Sequence, residues 1–284
     1  MTQAAAITAP YEATASFVAG CGLGPAAIAE RLDALAAADT EPVRYPQRTP
    51  LSWVEAHDRT VVDPAEMIRR VSRLVREFRD AGVFPIVVGG EHTVTAGALE
   101  AIDDPGSVTV VQFDAHADLR VEYEGSPWSH ACTMRRALDR GHPIVQIGVR
   151  SACIEEIRDV YGGDARGLAG FLEAPSGRAC MLTRSGLRDL GLHRVIDRIG
   201  PLVHVTIDLD VLDPSCAPGV GTPEPDGLSF PELIGALDAV LAGRTAASAD
   251  VVEMCPPGDD GRTALAAARL VRFLAAAGCP WGSR

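Results

Sequence analysis

The stretch SVTVVQFDAHAD, residues 107–118, decides the fold. Residues 107–113 form a short, nearly continuous apolar and β-branched run, which is typical of a parallel strand buried on both faces. Asp114, His116 and Asp118 follow at once, and their spacing of two lets their side chains face the same way in an extended chain. Ligands bind just beyond the carboxyl ends of strands in open parallel sheets. The stretch therefore predicts an α/β protein with a polar site at a strand end.

Similar apolar runs recur along the chain, with helical patterns between them. Strands are predicted at 85–89, 144–149, 202–207 and 249–253, with a weaker one at 179–182. Helices are predicted at 25–37, 93–103, 130–139, 186–199 and 262–276, after Asp63, and from Ser229 onward. This alternation gives a parallel sheet covered by helices on both sides. No linker, repeat or charge block divides the chain, so we expect a single domain over residues 1–284.

The clearest helix signal follows Asp63. Asp63 can cap the helix, Pro64 suits its first position, and Glu66 completes an arrangement like a capping box. Gly82 supplies the stop. Ser229 and Glu232 repeat the same start signal further along the chain.

Composition excludes several classes of protein. The 284 residues are 47% hydrophobic, 23% charged and 5% aromatic, which excludes disordered and fibrous chains. A net charge of −12 argues against nucleic acid and anionic membranes as partners. Seven cysteines without a CxxC motif indicate buried thiols in a reducing compartment. Residues 1–11 lack the features of a secretory signal, and no apolar run approaches the ~18 residues of a membrane span, so we expect a soluble cytoplasmic protein.

Three further segments bring polar residues to strand ends. Glu91 and His92 end the first predicted strand, Asp208 and Asp210 end another, and Glu253 ends the last. With the 114–118 segment, these supply four aspartates and two histidines. So many carboxylates cannot be buried together unpaired, because repulsion and desolvation would force some to protonate. Two divalent cations would balance the four aspartates, and bridging carboxylates can hold two metals ~3.5–4 Å apart.

The oxygen-rich donor set favours a hard ion such as Mn²⁺, although affinity order alone does not exclude Zn²⁺. Each of these motifs, taken alone, also has an interpretation that involves no metal. Asp208 and Asp210 could cap a loop, and His92 could be an ordinary buried histidine. The joint occurrence of the segments at strand ends favours a metal site.

These motifs resemble the ureohydrolases, the arginase/agmatinase family, and within it most closely agmatinase. The resemblance runs from about residue 22 to about residue 272. It is carried by GGEHT (89–93), DAHADL (114–119), SHACTMRR (129–136), IDLDVLDP (207–214), APGVGTPEP (217–225) and DVVEMCPP (250–257). Two positions differ from the residues that are common in the motifs of this family. Glu91 replaces a frequent Asp, and Asp226 stands where Gly is frequent.

The resemblance implies a three-layer α/β/α sandwich with a mostly parallel sheet of about eight strands, like the arginase and deacetylase folds, and a homotrimer or homohexamer. It also implies two Mn²⁺ ions per chain. The first ion would be held by His92, Asp114, Asp118 and Asp208. The second would be held by His116, Asp114, Asp208 and Asp210.

Catalytic roles also follow from the resemblance. The residues expected to act in catalysis are His130, Glu253 and Asp118, and Glu253 and His130 are also expected to bind the substrate. Glu253 would pair with the guanidinium nitrogens of the substrate, a geometry that suits a carboxylate. His130 would shuttle a proton to the leaving amine, since imidazole titrates in the useful range.

The favoured reaction is hydrolysis of agmatine to putrescine and urea, a step in making polyamines. The loop at 120–129 lacks the Asn-Thr-Pro element of arginases. Glu122 and Glu124 in this loop would repel a carboxylate and suit a second amine, unless both face solvent. Arg120 favours the opposite conclusion, because its positive charge could receive an acid such as guanidinobutyrate.

Several alternatives stay open at this point. Another ureohydrolase could act on guanidinobutyrate, guanidinopropionate, formiminoglutamate or arginine. A zinc amide hydrolase of the deacetylase type is less well supported, because the chain has no His-His pair. A non-catalytic family member that binds metal is the third alternative.

Overall fold

A nine-stranded sheet forms the centre of the molecule. The structure is a computed structural model that describes residues 4–37, 50–162 and 170–278. The strands lie in the order β2-β1-β3-β9-β8-β4-β5-β7-β6, and all neighbours are parallel except the β6/β7 edge pair. Their bounds are β1 Ala4–Ala9, β2 Leu51–Glu55, β3 Phe84–Gly89, β4 Val108–Phe113, β5 Ile144–Ile147, β6 Phe171–Glu173, β7 Ala179–Leu182, β8 Leu202–Asp208 and β9 Thr245–Val252.

Helices cover both faces of this sheet. Their bounds are α1 Gly24–Ala37, α2 Pro64–Asp80, α3 Thr95–Glu100, α4 Thr133–Arg140, α5 Ile154–Tyr161, α6 Arg184–Leu190, α7 His193–Ile196, α8 Phe230–Leu241 and α9 Arg262–Ala277. One face packs against α1, α6, α7, α8 and α9 in a continuous apolar core. The other packs against α2, α3, α4 and α5. The predicted three-layer α/β/α fold is confirmed, with nine strands in the described residues rather than about eight.

The predicted helix starts are confirmed at Asp63, Pro64 and Ser229, but the Glu66 side chain pairs with Arg70 and does not complete a capping box with Asp63. The Asp63 carboxylate accepts hydrogen bonds from the backbone N–H groups of Ala65 and Glu66, and Pro64 occupies the first position of α2. Ser229 and Glu232 form a reciprocal capping box at the start of α8. Both signals are local, because each satisfies backbone donors within one turn.

Four strands that carry polar residues at their ends lie side by side. The order β3-β9-β8-β4 places these four as consecutive neighbours in the middle of the sheet. All four are parallel, so their carboxyl ends meet at one edge. The topology therefore brings the segments that follow them into one place.

Other elements differ from the sequence predictions. No strand was predicted at β1, β2 or β6, and no helix at α5. The predicted helix at 186–199 is two helices, α6 and α7, because Gly191 interrupts it with a φ of +78°. Residues His130–Cys132 form a 3₁₀ turn ahead of α4. Within the described ranges, no helix is both long enough and apolar enough to cross a membrane.

Candidate metal centre and active site

The structure brings the six predicted metal ligands together at the carboxyl edge of the sheet. His92 follows β3, the aspartates and histidine of 114–118 follow β4, and Asp208 and Asp210 close β8. Two tight groups can be distinguished, each with ligand atoms within 4.8 Å of one another. The first group is His92, Asp114 and Asp118. The second is Asp114, His116 and Asp210. Asp114 belongs to both.

The first group surrounds the Nδ1 atom of His92. This atom lies 3.1 Å from an Asp114 oxygen, 2.9 Å from Asp118 and 3.6 Å from Asp208. The other ring nitrogen, Nε2, is 2.8 Å from the hydroxyl of Thr206 on β8. Thr206 therefore turns the ring so that Nδ1 faces the three carboxylates.

The second group surrounds the Nδ1 atom of His116. This nitrogen lies 2.9 Å from Asp210 and 3.6 Å from Asp114. Asp210 is fixed by the backbone N–H of Ala115 and by the Thr222 hydroxyl. Its own N–H donates to Asp208 at 2.9 Å. Asp208 thus lies beside both His92 and Asp210, although it belongs to neither tight group.

Charge in this cluster is unbalanced. Burial and the neighbouring carboxylates of Asp210 and Asp114 raise the pKa of Asp208 well above its usual range. Burial and the charge of Asp114 raise the pKa of Asp118 to about 7. Burial opposes protonation of His92, yet the close carboxylates of Asp114 and Asp118 raise its pKa well above normal. A cation placed among these groups would relieve this repulsion.

The residues present fit a pair of divalent metal ions. His92 Nδ1 is buried and has no hydrogen-bond partner within the described structure, although it faces three carboxylates. Its second nitrogen is held by the Thr206 hydroxyl, and a partner on the second nitrogen fixes the ring orientation of a metal-binding histidine. Carboxylate oxygens and imidazoles suit a borderline or hard divalent ion. The shared Asp114 gives the two groups a common ligand.

Two predicted site residues have strained backbones. Asp118 has a φ of +52° and Glu253 a φ of +65°, both in the left-handed region that non-glycine residues rarely adopt. The Asp118 carbonyl accepts hydrogen bonds from Met134 and Arg135 at the start of α4. Backbone strain of this kind persists only where the surroundings fix it, and it clusters at functional sites.

Glu253 contacts the first ligand group through the backbone of His92. Its N–H donates to the Gly90 carbonyl, and its Oε1 accepts from the His92 N–H at 2.7 Å. Gly90 can have no side chain, because a Cβ there would collide with the Tyr11 carbonyl. Burial and the nearby Glu91 raise the pKa of the Glu253 carboxyl well above its normal range. A cationic ligand beside it would favour its ionised form.

His130 lies across the same cavity, beside the segment that follows β1. Its Nδ1 is 3.1 Å from the Thr14 hydroxyl, and its Nε2 is 3.3 Å from Ser16. Burial and the positive charges of His92 and His116 lower the pKa of His130 to about 4. The imidazole is therefore neutral at pH 7, so it must take up a proton before it can give one.

Comparison with known proteins identifies the family. The arginase family model matches residues 2–276. The N(1)-aminopropylagmatine ureohydrolase of Thermus thermophilus is 35% identical over 88% of this chain and 81% of its own length. The enzyme of the same name from Synechocystis is 33% identical over 87% of this chain and 79% of its own length. The chain belongs to the arginase family.

Solved structures agree with this assignment. The agmatine ureohydrolase of Thermoplasma volcanium superimposes with a TM-score of 0.81 and 28% identity, covering 98% of this chain and 90% of its own. The present protein is thus a ureohydrolase, a hydrolase of a metal-dependent family, and its His/Asp cluster could hold the metal. The family resemblance read from the sequence motifs is confirmed.

A cavity of about 320 Å³ opens onto the cluster in this ureohydrolase. Its wall includes five residues already described: His116, Asp118, His130, Asp208 and Glu253. All three residues that the sequence predicted for catalysis thus face one space, and because Asp118 is also a predicted ligand, three predicted metal ligands face it too. Predicted metal ligands and predicted catalytic residues therefore line one cavity.

The far wall of the pocket contains residues that the sequence did not identify. Glu156, a buried carboxylate on α5, lies 3.0 Å from the Arg120 Nε atom, and the Arg120 guanidinium stacks 4.8 Å above the Tyr123 ring. Glu122 and Glu124, which were expected to act in specificity, are exposed to solvent instead. Glu156 had no signal in the sequence, because no helix was predicted there and the ion pair depends on the fold.

Proposed function

We propose that this ureohydrolase cleaves a cationic guanidino amine, with agmatine as the first candidate, to release urea and the free amine. The observation that carries the proposal is a mostly buried cluster of four aspartates and two histidines that opens into the same cavity as Glu253 and His130. Water adds to the guanidinium carbon, the bond from that carbon to the alkyl nitrogen breaks, and the leaving nitrogen gains a proton. One guanidinium and one water become one urea and one ammonium.

The proposed cofactor is a pair of Mn²⁺ ions. His92, Asp114, Asp118 and Asp208 would hold the first. His116, Asp114, Asp208 and Asp210 would hold the second. When bound, such ions lower the pKa of water and so make a nucleophile available near neutral pH. Oxygen-rich coordination supports manganese over zinc.

Glu253 is proposed to orient the substrate. The guanidinium ion offers paired N–H donors that match a carboxylate, and such charge-assisted hydrogen bonds are about twice as strong as neutral ones. The bond from the His92 N–H fixes one Glu253 oxygen, so the carboxylate is held ready before substrate arrives. This restraint lowers the entropy lost when the guanidinium docks.

His130 is proposed to move the proton. Its neutral imidazole can take a proton released as water attacks and pass it to the leaving nitrogen. Its place in the wall of the cavity, with Asp118 and Glu253, supports this role.

Charge in the pocket supports a substrate with a second cation. Arg120 is the one arginine among the described residues that line it, and the ion pair with Glu156 neutralises Arg120. A substrate carboxylate would therefore meet no free cation there. This observation favours agmatine over guanidinobutyrate and arginine.

The N(1)-aminopropyl derivative of agmatine is the second candidate. Two relatives above 30% identity carry the name of that activity. This compound also combines a guanidinium with further amines, so the same electrostatic argument applies to it.

The test is urea release by Mn²⁺-loaded protein from agmatine, N(1)-aminopropylagmatine, arginine and guanidinobutyrate, with formiminoglutamate assayed for formamide. We expect kcat/KM for one of the two cationic amines to exceed that for the two acids by at least about 100-fold. Faster turnover of arginine or guanidinobutyrate would refute the proposed substrate class. No turnover of any compound would support the non-catalytic alternative.

The assembly and the cellular setting remain predictions. A trimer or hexamer, a single domain over 1–284, a cytoplasmic location and the lack of nucleic-acid or membrane partners are all expected from the sequence. Light scattering on the purified protein tests the first of these.

A further inference from the structure

The segment after β1 is tied to the active site through one carboxylate. Glu91, adjacent to the ligand His92, is almost completely buried. Its Oε2 accepts hydrogen bonds from the backbone N–H groups of Ala13 at 2.9 Å and Thr14 at 2.8 Å. Its Oε1 accepts from the hydroxyls of Thr14 and Thr93, each at 2.8 Å.

These contacts decide the direction of the hydrogen bond at Thr14. All four contacts run toward Glu91: the two backbone N–H groups and the two hydroxyls donate, and the carboxylate oxygens accept. A hydroxyl has one hydrogen, and that of Thr14 is donated to Glu91. The Thr14 oxygen can then only accept from its two other partners, the backbone N–H and the Nδ1 of His130, both at 3.1 Å.

The protonation pattern of His130 follows from that direction. A neutral imidazole carries one hydrogen, on either Nδ1 or Nε2, and the partner of one nitrogen decides which. Thr14 requires the hydrogen on Nδ1. Nε2 is then the bare nitrogen, and it lies 3.3 Å from Ser16, a residue of the cavity wall. The Ser129 hydroxyl also approaches Nδ1, at the longer distance of 3.4 Å.

We propose that Glu91 and Thr14 are positioning residues that hold His130 as its Nδ1–H tautomer, which leaves Nε2 as the atom that exchanges protons with the reacting groups. This inference rests on the proposed role of His130. The inference also explains the glutamate beside His92, because the Glu91 carboxylate holds Thr14 in place. In the other tautomer, the hydrogen on Nε2 would block proton uptake from the cavity side.

The test is a double-mutant cycle in Mn²⁺-loaded protein with agmatine, or with the fastest compound of the panel if agmatine is inert. The variants are Thr14→Val, Thr14→Ser, His130→Asn, and the pair Thr14→Val with His130→Asn. Valine keeps the shape of threonine without its hydroxyl, and serine keeps the hydroxyl. We expect Thr14→Val to lower kcat by about 10-fold to 100-fold with KM and metal content nearly unchanged, a part of the ~10²–10⁴-fold that general acid–base catalysis contributes.

Thr14→Ser should stay within about threefold of the unmodified protein. In the His130→Asn background, Thr14→Val should lower kcat by less than about twofold, because the residue it acts through is gone. Long-range proton–nitrogen NMR is recorded on protein loaded with diamagnetic Zn²⁺ in place of paramagnetic Mn²⁺. The imidazole signals that are lost in His130→Asn should show hydrogen on Nδ1, and Thr14→Val should shift it toward Nε2.

An unchanged kcat in Thr14→Val would overturn the inference, as would an equal loss in both backgrounds, which would indicate a merely structural role. Hydrogen on Nε2 in the unmodified protein would overturn it as well. Full activity of His130→Asn would instead remove His130 from the proposed mechanism, and the inference with it. The two failures are therefore distinguishable.

Discussion

At the scale of single residues, the arrangement of Glu253 explains how a carboxylate can receive a guanidinium ion. The His92 N–H holds one of its oxygens, and its strained backbone fixes its direction. Both features exist before any substrate binds. Binding energy is therefore not lost in reorganising this side chain.

The substitution Glu253→Gln tests that role. The amide can still accept from the His92 N–H through its oxygen, but it loses the negative charge that pairs with the guanidinium. Hydrogen bonds to charged groups contribute about 1.5–3 kcal/mol, so we expect KM for agmatine to rise roughly 10-fold to 100-fold. Steady-state urea release measures the change, and metal analysis should show an unchanged metal content.

Glu122→Gln is the matched control. Glu122 is exposed in the loop beside the pocket, so the same chemical change should leave KM within about twofold. Equal effects of the two variants would mean that net charge, rather than a specific contact, attracts the substrate.

At the scale of secondary-structure elements, capping determines where the long helix α2 begins. Asp63 accepts two hydrogen bonds from the first turn. Asp80 is the last residue of the helix, at the C-terminal end, where the helix dipole makes a negative charge unfavourable. Removing an N-cap carboxylate costs about 1 kcal/mol. We expect Asp63→Ala to lower Tm by about 2–4 °C without changing kcat.

Thermal unfolding followed by circular dichroism measures this effect. Asp80→Ala removes the same group from the opposite end of the same helix, and it should leave Tm unchanged or slightly higher. If both variants lose the same stability, the loss does not come from capping.

The elements that could be predicted are those whose signals are local. The strands β3, β4, β8 and β9 combine β-branched residues with polar residues at their ends, and the caps of α2 and α8 lie within four residues of sequence. The strand β1, Ala4–Ala9, is mostly alanine, and it becomes a buried strand only because it pairs with β2 and β3. Its neighbours decide its conformation, and its own sequence carries little strand preference.

The same distinction applies to the site. The spacing of Asp114, His116 and Asp118 after a single strand is enough to predict that they share a site. Glu156 and Thr14 do not, because each acquires its partner from a distant part of the chain, Arg120 in one case and Glu91 in the other. Predicted ligands that share a strand end could be identified from the sequence, whereas residues whose partners come from distant segments could not.

At the scale of the whole molecule, stability should depend on acid through a histidine remote from the cluster. His142, after α4, is fully buried, and its Nδ1 donates to the Val108 carbonyl. Its Nε2 has no hydrogen-bond partner in the described structure. Burial lowers the pKa of His142 to about 4, below its usual 6.5.

The direction in which pH changes the stability follows from the pKa of His142 in the folded protein, about 4, and its usual value of 6.5. Above pH 6.5 the residue is neutral in both states, so its full contribution to stability is present. As the pH falls from 6.5 toward 4, only the unfolded chain takes up the proton, and stability falls by up to about 1.4 kcal/mol per pH unit. His142→Asn keeps a donor for Val108 and removes the titration, so its Tm should fall less between pH 7 and pH 5.

Melting curves of both proteins across this range, with the same excess of Mn²⁺, measure the difference. Losses that the two proteins share come from other groups and cancel. Identical slopes would show that His142 is protonated equally in the folded and unfolded states.

The central claim concerns the cluster at the carboxyl edge of the sheet, and diffraction at the manganese absorption edge from crystals grown with Mn²⁺ tests it most directly. We predict two anomalous peaks about 3.5–4 Å apart, one beside His92 and Asp118 and one beside His116 and Asp210, and neither in Asp114→Ala. Asp238→Asn, an exposed change on α8, should keep both peaks. A single peak, peaks away from these side chains, or two peaks retained in Asp114→Ala would contradict a paired-metal site built on a shared Asp114.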